Sequence, residues 1–378
     1  MFFSILAFFD MRVNINNSEF KSLLSIISSS LFHLQKDLPT EWPDFERIVK
    51  LAENQAVQGL LLDGLENVPI NQRPSIPQIL GLAGKVCQLM EHVNRKHIDV
   101  IGKVNAALTE AGIKAVFMKG QTTGRRWPNP LHRSPGDIDF LVAPEDFEKT
   151  LDVLASHGAV NRNIKHEHHG MAFMDGVQLE PHYKIHNYQC PSTDKVINEL
   201  ALRMLNTTDC KALIGEHEVY VLPPTFESVF LISHIVNHIY EEGLGLRQIV
   251  DYAMLLKHEY ERIDWQIHDD YLKRIRMKRA WRIVTCLCQD YLGMQSLWSF
   301  TDKEHKWAER LVADVMHVGN FGRAAYVFRH DSTWHQLQNY LWVFRRVFKM
   351  GFVCPSEAMW WPISKLLRFS KKSISLKI

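Results

Sequence analysis

Six cysteines are all that this 378-residue sequence contains, and no two of them form a C-x-x-C pair. The closest, Cys286 and Cys288, stand too near each other for a standard zinc motif, and so few thiols in so long a chain exclude a disulfide scaffold. The pattern points to a reducing, cytoplasmic setting. No run reaches the ~18 apolar residues of a membrane-spanning helix. Met1 to Phe9 is apolar, but no basic residue precedes it and Asp10 and Arg12 follow it, which suits a strand or packing arm and not a signal peptide. Charge of one sign is missing too: 44 Lys and Arg against 42 Asp and Glu leave +2, no ground for a polyanion partner of the whole chain. Internal repeats and low-complexity tracts are absent, which removes solenoids and linkers from consideration.

What is present is globular material, long enough for two or three domains. Residues 1–112 read as an N-terminal helical region, with Phe20, Leu23, Leu24, Ile27, Leu31 and Leu34 at helical spacing and Leu80 to Ala111 as one long helix or two, ended by Gly112. Residues 113–224 read as a mixed α/β core. Lys114 to Met118 and Ile138 to Val142 are buried-strand candidates, Pro144 to His157 is a helix, and Asp175-Gly176 is a two-residue hairpin turn between His168–Met174 and Val177–Ile185. A further hairpin spans Gly215-Glu216. After Pro223-Pro224 the helical spacing returns, so residues 225–378 read as a C-terminal helical domain. The expected class is α+β, a mixed-sheet core flanked by helices.

The chemistry concentrates in Arg133-Ser-Pro-Gly-Asp-Ile-Asp-Phe-Leu-Val142. Residues two apart on a strand point to one face, so Asp137 and Asp139 present paired carboxylates at the end of an otherwise apolar strand. That is the outline of a site for Mg²⁺, or Mn²⁺, with hard oxygen ligands and substrate phosphates. Glu180, on the second strand of the Asp175-Gly176 hairpin, is the natural third acid. It shares a face with Gln178 and His182, while Pro181 implies an edge strand or a bulge. Crowded acids repel, so without metal Asn at 137 or 139 is expected to leave the melting temperature unchanged or raised.

The order strand, Lys119-Gly120, short helix, Arg133, Asp137-Ile-Asp139, helix and hairpin with Glu180-Pro-His182 resembles the DNA polymerase beta-like nucleotidyltransferases. It is most similar to the bacterial family often called uncharacterised nucleotidyltransferases, over roughly residues 45 to 270. The resemblance implies transfer of a nucleoside monophosphate from a nucleoside triphosphate to an unknown acceptor, a small molecule, RNA or protein. It implies that Asp137, Asp139 and Glu180 bind metal and catalyse, and that Lys119, Gly120, Thr122, Thr123 and Arg133 bind nucleotide. Lys119-Gly120-Gln-Thr-Thr123 departs from the usual Gly-Ser loop toward the Lys-Gly-Gly-Thr form of abortive-infection toxin enzymes. By that analogy, the Gly120 backbone and the Thr122 or Thr123 hydroxyl would hold the β and γ phosphates. Arg133 contacts either phosphate or Asp137, and His182 lies on the acceptor side.

Other readings stay open: a non-catalytic nucleotide-binding or partner module, and a toxin-type enzyme acting on tRNA. His166, His168, His169, His182 and His186 fit no standard zinc spacing, and of these only His182 is expected at the cleft. His234 and His238, four apart on an apolar helix, read as core or interface. Lys273, Arg274, Arg276, Lys278, Arg279 and Arg282 form a basic run. With the eight basic residues and one acid from Leu341 to Ile378, and Trp342, Trp360 and Trp361 in the same stretch, it makes a peripheral membrane or RNA contact an alternative to a solvated face. The spacing from Arg323 to His330 loosely resembles ribonuclease motifs of helical domains.

Overall fold

The computed structural model describes residues 17–35, 37–165, 169–241, 243–322 and 333–364. Met1 to Phe9, His166 and His168, the Arg323 to His330 spacing and the basic residues from Lys365 onward lie outside the described residues.

The N-terminal region is helical for the reason its spacing gives. In α1 (Ser18–Phe32) the Asn17 side chain accepts the Glu19 amide at 2.8 Å, and Leu23, Ile26, Ile27 and Leu31 form a fully buried stripe. Helices α2 (Phe45–Asn54) and α3 (Gln58–Leu65) follow. Helix α4 (Ile76–Ala83) runs through a π-helical stretch, Gly84–Met90, directly into α5 (Glu91–Glu110). The rod ends where Gly112 takes φ 71°, the left-handed conformation that favours glycine.

Strands then build one sheet, β1 (Val116–Met118), β2 (Ile138–Leu141), β3 (Val160–Lys165), β4 (Gly170–Met174), β5 (Val177–His182), β6 (Lys211–Ile214) and β7 (His217–Val221), in the spatial order β3-β4-β5-β2-β1-β7-β6. Pairing is parallel for β2 with β5 and β1 with β7, antiparallel elsewhere, so the sheet is mixed and the class is α+β. The Asp175-Gly176 turn has φ 51° and 76°, both positive as a two-residue hairpin of this kind requires. Helix α6 (Gly120–Gly124) follows β1, α7 (Phe147–Ser156) joins β2 to β3, and α8 (Pro191–Thr207) joins β5 to β6.

Side-chain alternation sends the two faces of the sheet to two cores. Phe117, Ile138, Phe140, Leu179 and Val219 pack with Val100, Ile101, Val104 and Leu108 of α5. Val116, Met118 and Leu141 face the larger core, built with the N-terminal helices and with α9 (Pro224–Tyr240), α10 (Leu246–Glu259), α11 (Trp265–Arg274), α12 (Lys278–Leu292), α13 (Asp302–Val318) and α14 (Thr333–Met350). A last helix covers 355–364. Asp139 lies two residues from Leu141, so it faces the α9–α10 side. Among the described residues no helix is long and apolar enough to cross a membrane.

Three expectations need correction. The core holds a second long helix, α8, and a strand, β3, beyond the single helix and the strands that the sequence predicts. Pro181 is not on an edge: β5 is an interior strand between β4 and β2. The ladder accommodates it because regular β4–β5 pairing covers Val177 to Leu179 and is followed only by an isolated His169–His182 bridge, leaving the amide that proline lacks without a required partner. The basic run, which holds no acid itself, is paired with acids from outside it. Asp269 holds Lys273 at 2.6 Å and Lys278 at 2.5 Å, Arg282 pairs with Glu304, and Arg279 lies over Trp307. In the C-terminal part Arg346 and Lys349 both bind the buried Asp314.

Candidate active site

Strand register brings the acids together. Met118 pairs with Asp139 across β1–β2, and Asp139 pairs with Glu180 across β2–β5. Neighbouring strands lie ~4.8 Å apart. Carboxylate oxygens of Asp137, Asp139 and Glu180 all fall within 4.8 Å of one another. They form the floor of a cleft of about 300 Å³ between the sheet and α9–α10.

Lys119 follows β1 with φ 56°. This uncommon conformation for a side-chain-bearing residue turns the chain into α6 and places Nζ 2.7 Å from Asp139 Oδ1. His182 Nε2 lies 2.8 Å from the same oxygen. Burial pushes the Asp139 carboxyl up, but Lys119 and His182 more than offset that and hold it well below the usual carboxylate range. Burial likewise pulls the Lys119 ammonium down, and the charges of Asp139 and Asp137 more than restore it.

Glu180 takes the opposite path. Burial, then the charges of Asp137 and Asp139, push its carboxyl up to about 8. Gln178 Nε2 donates to its Oε1 at 2.8 Å, and His169 and His182 lie 3.7 and 3.8 Å from its Oε2. The repulsion expected within the Asp pair therefore falls on Glu180, while Asp139 is the anchored member.

Several expected contacts differ. Arg133 does not pair with Asp137. Its guanidinium forks onto Asp251 of α10, at 2.8 and 2.7 Å, and Trp127 Nε1 donates to the same carboxylate at 2.8 Å. Arg133 still lines the cleft, but as the anchor of its loop to α10. The hydroxyls of Thr122 and Thr123 are buried and donate to the carbonyls of Lys119 and Gly120, at 2.6 and 3.0 Å. Neither lines the larger cleft, but Thr122 lines a small adjoining cavity together with Gly120, Asp137 and Asp139. Gly120, with φ 47°, lines the larger cleft as well.

The cleft also holds residues that the sequence reading put elsewhere. His169 and His186 join His182 there, and His234, Asn237 and His238 of α9 line it together with Glu241, which caps that helix. Burial holds His234 and His238 neutral, with His238 pulled down to about 3, and their Nε2 atoms lie 3.0 Å apart. The signal was a stripe of polar residues at positions 234, 237, 238 and 241 on an otherwise apolar helix. Arg247, from the start of α10, donates to the carbonyls of Ser134 and Pro135 at 3.1 and 3.4 Å and lies over Phe321. Its contacts brace the loop that carries Asp137. None of the residues of the basic run lines this cleft.

Helix α5 supports that loop from the other side. Asn94 donates to the carbonyls of Leu131 and Arg133 at 2.7 and 2.9 Å, and His97 Nε2 lies 2.7 Å from the Gly136 carbonyl. The acids, Asp139 buried and Asp137 and Glu180 half-buried, are thus held between a helix, a sheet and a second helical layer. No curated protein and no solved structure gives a significant match to the chain. The model of one family, described as uncharacterised nucleotidyltransferase, does match it, over residues 42–293, and the chain belongs to that family.

Proposed function

We propose that this protein moves a nucleoside monophosphate from a nucleoside triphosphate to an acceptor hydroxyl, with Asp137, Asp139 and Glu180 as its catalytic acids. The observation that carries this reading is the trio of carboxylates within 4.8 Å of one another on the cleft floor, in a chain of a nucleotidyltransferase family. A divalent cation fits the trio. Glu180 is raised to about 8 by burial and then by the negative charges of Asp137 and Asp139, and a cation relieves that charge crowding. Mg²⁺ or Mn²⁺ held there would neutralise charge on the phosphates and lower the pKa of an oxygen bound to it.

The chain's own groups divide the remaining work. Lys119 and the Gly120 backbone hold the phosphates at the cleft floor, with Arg247 as a further cation on its wall. Glu180, in its ionised form, accepts the proton of the acceptor O–H at a carboxylate oxygen. The acceptor oxygen forms its bond to the α phosphorus, the α–β bridging P–O bond breaks, and pyrophosphate leaves with that electron pair. His182 holds Asp139 in place, and the neutral His234 and His238 add hydrogen-bonding capacity beside the acceptor without adding charge.

One observation favours a second reading. Asp139 Oδ1 is already engaged by Lys119 and His182, so this oxygen is less open to a metal ion than a bare carboxylate, which favours nucleotide binding without turnover. Incubating the protein with α-labelled triphosphates, Mg²⁺ or Mn²⁺, and separate pools of small metabolites, RNA and protein tests the proposal. Covalent label in one pool supports transfer; saturable binding with no label in any pool supports the second reading.

A further inference from the structure

Outside the cleft, the face of the α4–α5 rod carries another set of side chains of metal-ligating types. Cys87 stands in the π-helical stretch and Glu91 one turn later, at the start of α5. His132 ends a single 3-10 turn, Pro130–His132, directly before Arg133. One ligand atom from each lies within 4.8 Å of the others. Zinc with sulfur, nitrogen and oxygen ligands holds them ~2.0 to 2.3 Å from the ion, so adjacent ligands lie ~3.3 to 3.8 Å apart. Reaching that separation requires a small movement, and Cys87 is exposed and able to make it.

The surroundings of the set resemble a metal site more than a chance cluster. The His132 ring is buried and reads differently at its two nitrogens. Nδ1 lies 2.5 Å from Asp63 Oδ1 on α3, while Nε2 faces Glu91 Oε1 at 3.2 Å. A carboxylate on one ring nitrogen fixes the tautomer and turns the other nitrogen toward a metal, the usual outer partner of a zinc-binding histidine. Asp63 Oδ2 is buried with no hydrogen-bond partner, so the carboxylate is committed to this ring. Glu91 is likewise held: Arg95 takes its Oε2 at 2.9 Å and leaves Oε1 toward the histidine. A π-helical turn is rare and found mostly at functional places, and here it carries the sulfur.

We propose that Cys87, Glu91 and His132 bind a zinc ion, with Asp63 orienting His132 from behind and the fourth position open to water on the Cys87 side. A thiolate, an imidazole and a carboxylate are a mixed set that suits zinc better than the hard-oxygen trio of the cleft. Binding displaces the Cys87 thiol proton and any second proton on His132 to solvent, because the ligands bind deprotonated. The ion would tie three elements, α3, the α4–α5 rod and the 129–133 loop, at the base of the segment that presents Arg133 and Asp137. It is a site of attachment for that loop, separate from the proposed transfer chemistry.

Cobalt(II) is the probe, since a bound thiolate gives it a charge-transfer band in the near ultraviolet. The full chain, stripped of metal and titrated with Co²⁺, should show that band saturating near one equivalent, with zinc displacing it. Cys87→Ser should abolish the band, with circular dichroism unchanged because Cys87 is exposed. Asp63→Asn should keep the band and weaken cobalt affinity 10- to 100-fold. A second mixed set, Cys286, Asp290 and His305 on α12 and α13, is the internal control. Cys286→Ser should leave the band intact. A parent protein with no thiolate band, or a band lost in Cys286→Ser and kept in Cys87→Ser, overturns the proposal; in the first case His132 is simply a ring held between two carboxylates.

Discussion

Glu180 gives the sharpest test of how the cleft is charged. Its carboxyl sits at about 8 because burial and the charges of Asp137 and Asp139 all oppose ionisation. An ordinary Glu titrates near 4.3, and each unit corresponds to about 1.4 kcal/mol, so the full penalty above pH 8 is bounded by about 5 kcal/mol. The sign follows from linkage. Below pH ~4 the carboxyl is protonated in both folded and unfolded chains and costs nothing. As pH rises from ~4.3 toward 8 the unfolded chain loses its proton and the folded chain keeps it, so stability falls across that window. Glu180→Gln keeps the oxygen that accepts from Gln178 Nε2 and removes the ionisation. Allowing for relaxation around the acid, the variant should be more stable than the parent by about 2 to 4 kcal/mol at pH 8, and by almost nothing at pH 4. For a chain of this size about 1.3 °C corresponds to 1 kcal/mol, so the melting gap is about 3 to 5 °C. The assay is thermal unfolding in chelator across pH 4 to 8.5. A Gln variant less stable than the parent at pH 8, or a gap independent of pH, refutes the reasoning.

The other two acids behave differently. Asp137→Asn should leave metal-free stability nearly unchanged, whereas Asp139→Asn strands the Lys119 charge and should cost about 3 to 5 kcal/mol by urea unfolding. Both variants should lose the stabilisation that Mg²⁺ plus triphosphate gives the parent, about 2.7 kcal/mol at 100 times the dissociation constant, read by thermal shift. Asp251→Ala leaves the buried Arg133 fork unpaired and should cost about 3 to 5 kcal/mol, while Arg133→Met with Asp251→Leu should recover most of it. His268, buried and pulled down to about 4, stays neutral in the folded chain, so stability should fall as pH drops from 6.5 toward 4. His268→Gln should narrow the difference in urea midpoint between pH 7 and pH 5.

The local chemistry of the core was legible in the sequence. Asp175-Gly176 reads as a turn because two consecutive positive φ values admit few residue pairs, and the alternation after it placed Glu180 on the face of Asp137 and Asp139. Gly112 and Gly158 mark helix ends for the same backbone reason. What escaped was chiefly long-range. Arg133 meets Asp251, 118 residues on, and His234 and His238 reach the cleft from α9. Their four-residue spacing on an apolar helix is equally the pattern of a packed core. From spacing alone Asp139 is a repelled acid, because Lys119 and His182 flank it through strand register. Pro181 misled because an interior strand tolerates proline where the neighbouring ladder skips a pairing. Helix α8 carried a readable signal, Pro191 at its first turn with Ile197, Leu200, Ala201 and Leu205 buried, but it stood among strands.

The central claim is that the acid trio moves a nucleotidyl group, and the fate of the individual phosphates tests it most directly. The parent and Asp137→Asn proteins are incubated with α-labelled and, separately, γ-labelled triphosphate, Mn²⁺ or Mg²⁺, and the responding acceptor pool. The account predicts that α label becomes covalent in the acceptor, that γ label appears as pyrophosphate in equal amount, and that Asp137→Asn does neither. Transfer of γ label to the acceptor, or transfer of α label undiminished in Asp137→Asn, would contradict it.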